Sequence, residues 1–173
     1  SNSSSGRTLD SGPVILEKKW HQVTFAYDTS DTQLKLYVDG KLTTDQNFSG
    51  FGNRSSAVMM IGAGSSGASH NFDGFMDEFM VYKGVICNAN TVIERYQAGR
   101  AGNHHTANSS CVLHIKADST YGDTTFTDAS LSAHTITNVS GVYHHIDDNR
   151  TANTALYFDG NSEIILPPTA DFT

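Results

Sequence analysis

The sequence predicts an all-β fold, and three observations predict it. First, only 17% of its 173 residues are charged, and Ser, Thr, Gly, Asn and Asp separate short apolar runs, a composition typical of strands joined by turns. Second, apolar and polar residues alternate along residues 20–28 and 34–38, the period-2 pattern of strands with one buried face. Third, the dipeptide Asp39–Gly40 favours a tight hairpin, because glycine readily adopts a positive φ.

The same patterns place the elements in chain order. In the first part of the chain, strands are predicted at 14–16, 22–27, 33–38, 41–43, 57–61 and 73–82. One helix is predicted over residues 90–98, where apolar residues have helical spacing and Gly99 follows as a stop signal. A segment rich in Gly, Asn, His and Ser, residues 101–110, is typical of a linker. A new strand is predicted from Cys111, and segments at 126–130, 133–137 and 155–160 follow.

Two motifs in the first hundred residues resemble those of a known family. One begins at Trp20–His21 and ends at Tyr37-Val38-Asp39-Gly40, and the other is the closing-strand motif of residues 72–82. Both are similar to motifs of the laminin-G-like modules, which belong to the concanavalin A-like superfamily. The resemblance implies a jelly-roll β-sandwich.

The later segments resemble the beginning of such a module, which is the reverse of the usual order. The matches are Leu113-His114-Ile115, residues 126–128, 134–137, 155–160 and 171–173. This resemblance divides the chain into a C-terminal half of one module (1–100), a linker (101–110) and an N-terminal half (111–173), with the middle strands of a module absent.

The reversed order has three explanations. The chain can be one period of a tandem array, a circular permutant, or a fold completed by a neighbouring chain. The first and third are favoured, because a permuted gene would retain its middle strands. Open strand edges would otherwise be exposed, so copies of the chain or neighbouring modules are the expected partners.

The sequence argues against an enzyme. Sugar-cleaving relatives on this fold have an E-x-D-x-x-E strand, because a retaining glycosidase needs two nearby carboxyl groups. The four glutamates do not have that spacing, and the Gly-x-Ser-x-Gly motif of a serine nucleophile is absent; a Ser/His/Asp arrangement stays open. The glutamates are Glu17, Glu78, Glu94 and Glu163.

Two functions therefore remain. The leading one is a non-catalytic structural or adhesive module of a repeated extracellular, cell-surface or virion assembly, such as a fibre or filament. The alternative is a carbohydrate-binding module with glycans as partners. A net charge of −7 argues against nucleic acid as a partner, and no apolar run is long enough to span a membrane.

A structural Ca²⁺ ion is implied by the resemblance. The aspartate of the family's closing strand corresponds to Asp77, with Gly160 and Asp118 as further candidate ligands. Ca²⁺ suits such a site because it accepts six to eight oxygen ligands in flexible geometry. The alternative is that Asp77 caps a strand end by accepting hydrogen bonds from backbone amides. The neighbouring Glu78 is expected on a solvated face.

Ligand contact is expected from loop residues, because loops at the rim of a sandwich bind its ligands. The candidates are Asn53, Arg54, His70 and Asn71. Six aromatic residues at period-2 positions are instead expected in the core, namely Trp20, Phe25, Tyr27, Tyr37, Phe79 and Tyr82.

The two cysteines, Cys87 and Cys111, flank the helix and the linker. An extracellular setting favours a disulfide between them, worth about 3 kcal/mol, and two buried thiols are the alternative. The adjacent pair His144–His145 does not favour a zinc site, because neighbouring strand residues point to opposite faces.

Overall fold

The computed structural model describes residues 15–28, 30–48, 58–64, 71–85, 87–102, 105–139, 141–146 and 154–172. Within these ranges the chain forms eleven β-strands, one α-helix and one short 3-10 turn. All seven strand ladders found there are antiparallel. The predicted all-β class is confirmed.

The chain forms two compact units, each described here by itself. The first, called the hairpin unit, comprises Ser1–Gly50 and Ile86–Ala101. The second, called the sheet unit, comprises Phe51–Val85 and Gly102–Thr173. The described residues 58–64 and 71–85 therefore belong to the same unit as the later part of the chain. The predicted division into two module halves describes how each part of the sequence resembles a module of the family, and it stays a prediction.

The hairpin unit is built on an antiparallel meander. Strands β1 (Val23–Asp28), β2 (Gln33–Val38) and β3 (Lys41–Asn47) follow one another in space as in sequence. Asp39 and Gly40 join β2 to β3 with φ values of 51° and 79°. Two positive φ values at the central residues define the hairpin turn expected from an Asp-Gly dipeptide. The predicted turn is confirmed.

The helix α1 (Ala89–Arg100) completes the hairpin unit. It begins where Asn88 Oδ1 accepts a hydrogen bond of 3.0 Å from the Thr91 amide, which satisfies a backbone donor that the first turn cannot pair. The predicted helix is confirmed and is longer than expected, because Gly99 lies inside its last turn.

The described residues of the sheet unit form eight strands in three small sheets. Their spatial orders are β5-β10-β9, β4-β11-β8 and β6-β7. The strands are β4 (Met59–Ile61), β5 (Asp73–Met76), β6 (Phe79–Tyr82), β7 (Cys111–Ile115), β8 (Thr137–Val139), β9 (Tyr143–His145), β10 (Ala155–Asp159) and β11 (Glu163–Leu166). Inward side chains of these strands and of the segments between them form one core of Ile61, Leu113, Ile115, Ala117, Phe126, Val142, Leu156, Phe158, Ile164 and Leu166.

The prediction of one continuous strand over residues 73–82 is wrong, because the strand has an interruption. It is interrupted at Asp77–Glu78, where Glu78 has a φ of 53°, a value that breaks the extended conformation. The two parts pair with different strands, β5 with β10 and β6 with β7. The closing-strand motif therefore contributes to two sheets.

Each sheet of the sheet unit joins strands from the two sides of the predicted linker. In particular, β10 (Ala155–Asp159) pairs with β5 (Asp73–Met76) of the same chain. The open strands of one half are therefore paired by the other half in reversed chain order.

Candidate functional site

Five aromatic rings form a continuous cluster on one side of the sheet β5-β10-β9, called here the aromatic face. Tyr157 lies opposite Phe75 on one neighbouring strand and Tyr143 on the other, with 5.3 Å between ring centroids in both pairs. His145 lies 5.4 Å from Phe75 and 5.4 Å from Tyr121. Tyr121 is 60% exposed, and the other four side chains are half-buried.

Strand alternation produces the aromatic face. Tyr157 lies between Leu156 and Phe158, which are fully buried in the core. In the same way, Tyr143 and His145 flank His144, which is 3% exposed. Successive side chains of a strand point to opposite faces, so burying the neighbours turns these rings outward. The outward orientation of His145 also agrees with the argument against a zinc site at the histidine pair.

Two carboxylates border the aromatic face. Asp73 and Asp159 lie directly opposite each other, two residues along from Phe75 and Tyr157 and therefore on the same side of the sheet. The pKa of Asp159 is lowered by hydrogen bonds from the Asn161 amide and the Ser162 hydroxyl. Flat rings beside carboxyl groups that accept hydrogen bonds can bind a molecule that has an apolar side and several hydroxyl groups.

The aromatic face was not predicted, and only part of its signal lies in the sequence. The alternation along residues 155–159 places Tyr157 on the outer side, but the partner strands are remote in the sequence. Tyr143 and His145 belong to a three-residue strand that is too short to recognise by periodicity.

Of the four residues predicted to contact a ligand, the structure describes Asn71. Asn53, Arg54 and His70 lie outside the described residues. Asn71 is half-buried, and its Nδ2 donates a hydrogen bond of 2.8 Å to the Gly160 carbonyl. Its role in the structure is to hold the turn after β10.

The expectation that six period-2 aromatic residues are core residues is correct for Tyr37, which is 4% exposed. It is wrong for Phe25, which is 64% exposed on β1 because that strand is an edge of its sheet. The other four are half-buried, namely Trp20, Tyr27, Phe79 and Tyr82.

One carboxylate, that of Asp128, connects the segments around residues 114, 130 and 134 in the second half of the chain. Asp128 Oδ1 accepts hydrogen bonds from the His114 amide (2.9 Å) and the Ser130 amide (2.8 Å). Its Oδ2 accepts from the His134 amide (2.9 Å) and the Ser130 hydroxyl (2.9 Å), and lies 2.8 Å from His134 Nδ1. The side chain is fully buried. Burial alone raises the pKa of Asp128, but these donors lower it to about 2.

This cluster does not have the geometry of a catalytic triad. His134 Nδ1 faces Asp128, and its Nε2 lies 3.0 Å from Asp171 Oδ2. The Ser130 hydroxyl donates to the same Asp128 carboxylate and not to the imidazole. A nucleophilic serine donates its hydroxyl hydrogen bond to the histidine that acts as its base. Ser130 donates that hydrogen bond to Asp128.

The expectation that Glu78 is solvated is wrong. Its side chain is only 9% exposed, and Oε2 lies 2.8 Å from Nε2 of the fully buried His114. Glu78 precedes Met80 by two residues, and Met80 pairs with His114, so the contact lies beside the β6–β7 ladder. The pair lies inside the sheet unit and contributes to its structure.

The three predicted calcium ligands do not fit one ion. Asp77 follows Met76, which pairs with Leu156, whereas Gly160 follows Asp159 at the other end of the same ladder. The two positions are five residues apart along the ladder, or about 17 Å. One Ca²⁺ ion cannot bind both, because its bonds to oxygen are far shorter than this distance.

The remaining two candidates lie near the end of the ladder where β6 meets β7. Asp118 is exposed and follows β7, and Asp77 Oδ1 accepts a 2.8 Å hydrogen bond from the Glu78 amide, as in the capping alternative. In the part of the chain that the structure describes, no group of three or more His, Cys, Asp or Glu residues could hold a metal ion. Calcium binding at Asp77 stays a prediction without Gly160 as a ligand.

The predicted disulfide is absent from the structure. Cys87 is half-buried and Cys111 is buried, and both are thiols. The Cys111 thiol lies 3.2 Å from the Leu113 carbonyl, so it is directed along its own strand. Burial raises the pKa of the Cys87 thiol.

These features define a class of protein, an all-β module of antiparallel sheets. Residues 1–92 match the family described as the concanavalin A-like lectin/glucanases superfamily, and the chain belongs to this laminin-G-like family. The resemblance seen in the sequence motifs is therefore confirmed. No curated protein and no solved structure has a significant match to the chain. Among the described residues, no helix has the length and apolar character needed to cross a membrane.

Proposed function

We propose that this chain is a non-catalytic adhesive module that binds carbohydrate on its aromatic face, in the extracellular setting that is typical of laminin-G-like modules. The observation that carries this proposal is the row of three rings from Phe75 through Tyr157 to Tyr143, bordered by two carboxylates. Sugars combine an apolar ring face with many hydroxyl groups. They therefore match a surface of flat rings with polar atoms beside it.

The chemistry of the face favours a sugar over an apolar partner. Three of the five rings are tyrosines and one is histidine, so most have a polar atom at the edge. The ionised Asp159 and its opposite neighbour Asp73 can accept hydrogen bonds from hydroxyl groups. An aliphatic ligand would offer these exposed acceptors no hydrogen-bond donor.

Binding should depend on the rings of this face. Replacing Tyr121 with alanine should weaken glycan affinity by about tenfold, or about 1.4 kcal/mol, because a stacking surface is lost. Since this side chain is 60% exposed, its removal should leave the fold intact. A glycan array with the isolated chain identifies the ligand, and calorimetry then gives the dissociation constants.

The matched control is Phe25→Ala, which removes an exposed ring from β1 in the hairpin unit. It should leave the affinity unchanged. Tyr157→Phe separates the contribution of a hydroxyl from that of the ring. Absence of binding to every glycan on the array, or equal weakening by Tyr121→Ala and Phe25→Ala, would contradict the proposal.

A second candidate is a structural module of a repeated surface assembly. One observation favours it: all three sheets of the sheet unit join strands from distant parts of the chain. The same ladders can form between two copies that exchange halves, and an exchange that does not close gives a filament.

Such exchange predicts a concentration-dependent mass. Size-exclusion chromatography with light scattering should give species at multiples of 18.7 kDa as the protein concentration is raised. A constant mass of 18.7 kDa over the whole range would rule out self-assembly and leave the permuted monomer.

A further inference from the structure

The β5–β10 ladder has a pair of like charges on its outer side. Asp73 and Asp159 lie directly opposite each other at one end of the ladder, and both side chains are exposed. Side chains that are directly opposite in an antiparallel pair have Cβ atoms about 4.5 to 5.5 Å apart, so the two carboxyl groups can contact the same ligand group. Two like charges in this position destabilise a sheet.

Among the described residues, no cation compensates this pair. Neither aspartate takes part in an ion pair within that part of the chain, and β5, β9 and β10 contain no Lys or Arg. Hydrogen bonds from the Asn161 amide and the Ser162 hydroxyl lower the pKa of Asp159, which favours its charged form. A locally unfavourable arrangement without compensation in the fold is typical of a functional site. A bound cation would supply the compensation.

The surroundings of the pair also favour a cation. A Cβ at Gly160 would lie 3.6 Å from Asp73 Cβ and 4.0 Å from Asp73 Oδ2, so the missing side chain leaves this flank of Asp73 uncovered. On the other flank, the rings of Phe75 and Tyr157 lie on the same side of the sheet, two residues from their aspartates. The negative face of an aromatic ring attracts an ammonium group within about 6 Å of its centre.

The aromatic face is longer than one sugar ring. Tyr121 contacts His145, which pairs with Ala155, and Ala155 is four residues along β10 from Asp159. Four residues of strand span about 13 Å. An oligosaccharide can therefore reach the charged pair at one end of the aromatic face and the exposed Tyr121 ring at the other.

We propose that the aromatic face prefers oligosaccharides of amino sugars with free ammonium groups over neutral or N-acetylated ones. This preference rests on the carbohydrate binding proposed above. One ammonium group of the ligand lies between Asp73 and Asp159, and a sugar ring beside it packs on Tyr157. The rest of the ligand extends along β10 towards Tyr121.

The test is calorimetric titration of the full chain with three tetrasaccharides that have the same β-1,4-linked backbone. They are the tetramers of glucosamine, N-acetylglucosamine and glucose, which differ only in the group at C2. The titration is done at mildly acidic pH, where the glucosamine amines are charged. We expect the glucosamine tetramer to bind about tenfold more tightly than either of the other two.

The two aspartates should account for this preference. Asp73→Asn and Asp159→Asn should each weaken binding of the glucosamine tetramer about fivefold and leave binding of the glucose tetramer unchanged. A thermal melt of each variant shows whether it is folded. The matched control is Asp118→Asn, which removes the same charge from another exposed position of the sheet unit and should leave all three affinities unchanged. This control excludes a general attraction to a chain of net charge −7.

The outcomes separate this preference from carbohydrate binding itself. Tyr121→Ala should weaken all three tetramers alike, because it removes a stacking surface and no charge. Equal affinities for the three tetramers, or equal weakening by Asp118→Asn and Asp73→Asn, would overturn the preference and leave carbohydrate binding intact. If none of the tetramers binds, the preference is wrong, and the glycan array decides separately whether the aromatic face binds carbohydrate.

Discussion

Replacing Asp128 with asparagine should lower the free energy of unfolding by about 3 to 5 kcal/mol, the range for breaking a buried charged network. The carboxylate accepts hydrogen bonds from three backbone amides, and an amide side chain offers them only one oxygen. The NH₂ group of asparagine would instead face N–H donors. Urea denaturation of the two proteins measures the difference.

The control for this prediction is Asp118→Asn in the same unit. Asp118 is exposed, so its change should alter the free energy of unfolding by less than about 0.5 kcal/mol. Equal losses in the two variants would show that Asp128 contributes no more than a surface charge.

Acid should weaken the wild type through the same carboxylate. The pKa of Asp128 is about 2 in the folded protein, against an ordinary value of 3.8. Because its pKa is lower in the folded state, Asp128 stabilises the fold fully at pH values above its pKa in the unfolded chain. This stabilisation is lost as the pH falls from about 4 towards 2. Over this range the free energy of unfolding falls by about 2 kcal/mol. This loss of stability at low pH should be absent from the Asp128→Asn variant.

Replacing Gly62 with alanine should be the second most damaging change, with a loss of about 2 to 5 kcal/mol. Its φ is +91°, where a side chain costs about 1 to 2 kcal/mol. In addition, a Cβ would lie 2.5 Å from two ring carbons of Phe158, which is fully buried and cannot move freely. Overpacking of a core adds typically about 1 to 3 kcal/mol. Thermal and urea unfolding measure the sum.

Gly141 provides a matched control because its φ is also +91° but no atom of the described part of the chain lies within 4 Å of an added Cβ. Gly141→Ala should therefore show the backbone cost alone. The difference between the two variants measures the collision with Phe158. If both lose the same free energy, the close packing of Gly62 on that ring is not significant.

Local chemistry explains which parts of the fold could be predicted. The Asp39–Gly40 turn and the helix after Asn88 depend on neighbouring residues, and both were recognisable in the sequence. The interruption at Glu78 was not, because it follows from β5 and β6 pairing with strands far along the chain. The aromatic face was missed for the same reason, since Phe75, Tyr143 and Tyr157 meet only after the sheet has formed.

The reversed order of the sheet unit has a consequence for synthesis on the ribosome. Strands β1 to β3 pair with their neighbours and can form as soon as they emerge. Strand β5 must wait for β10, more than eighty residues later, which takes roughly 4 to 20 seconds at ordinary rates of translation. During that interval the edge of β5 is open to the β10 strand of another nascent chain. The frequency of exchanged dimers should therefore depend on the spacing of ribosomes along the message, and slower initiation should favour the monomer.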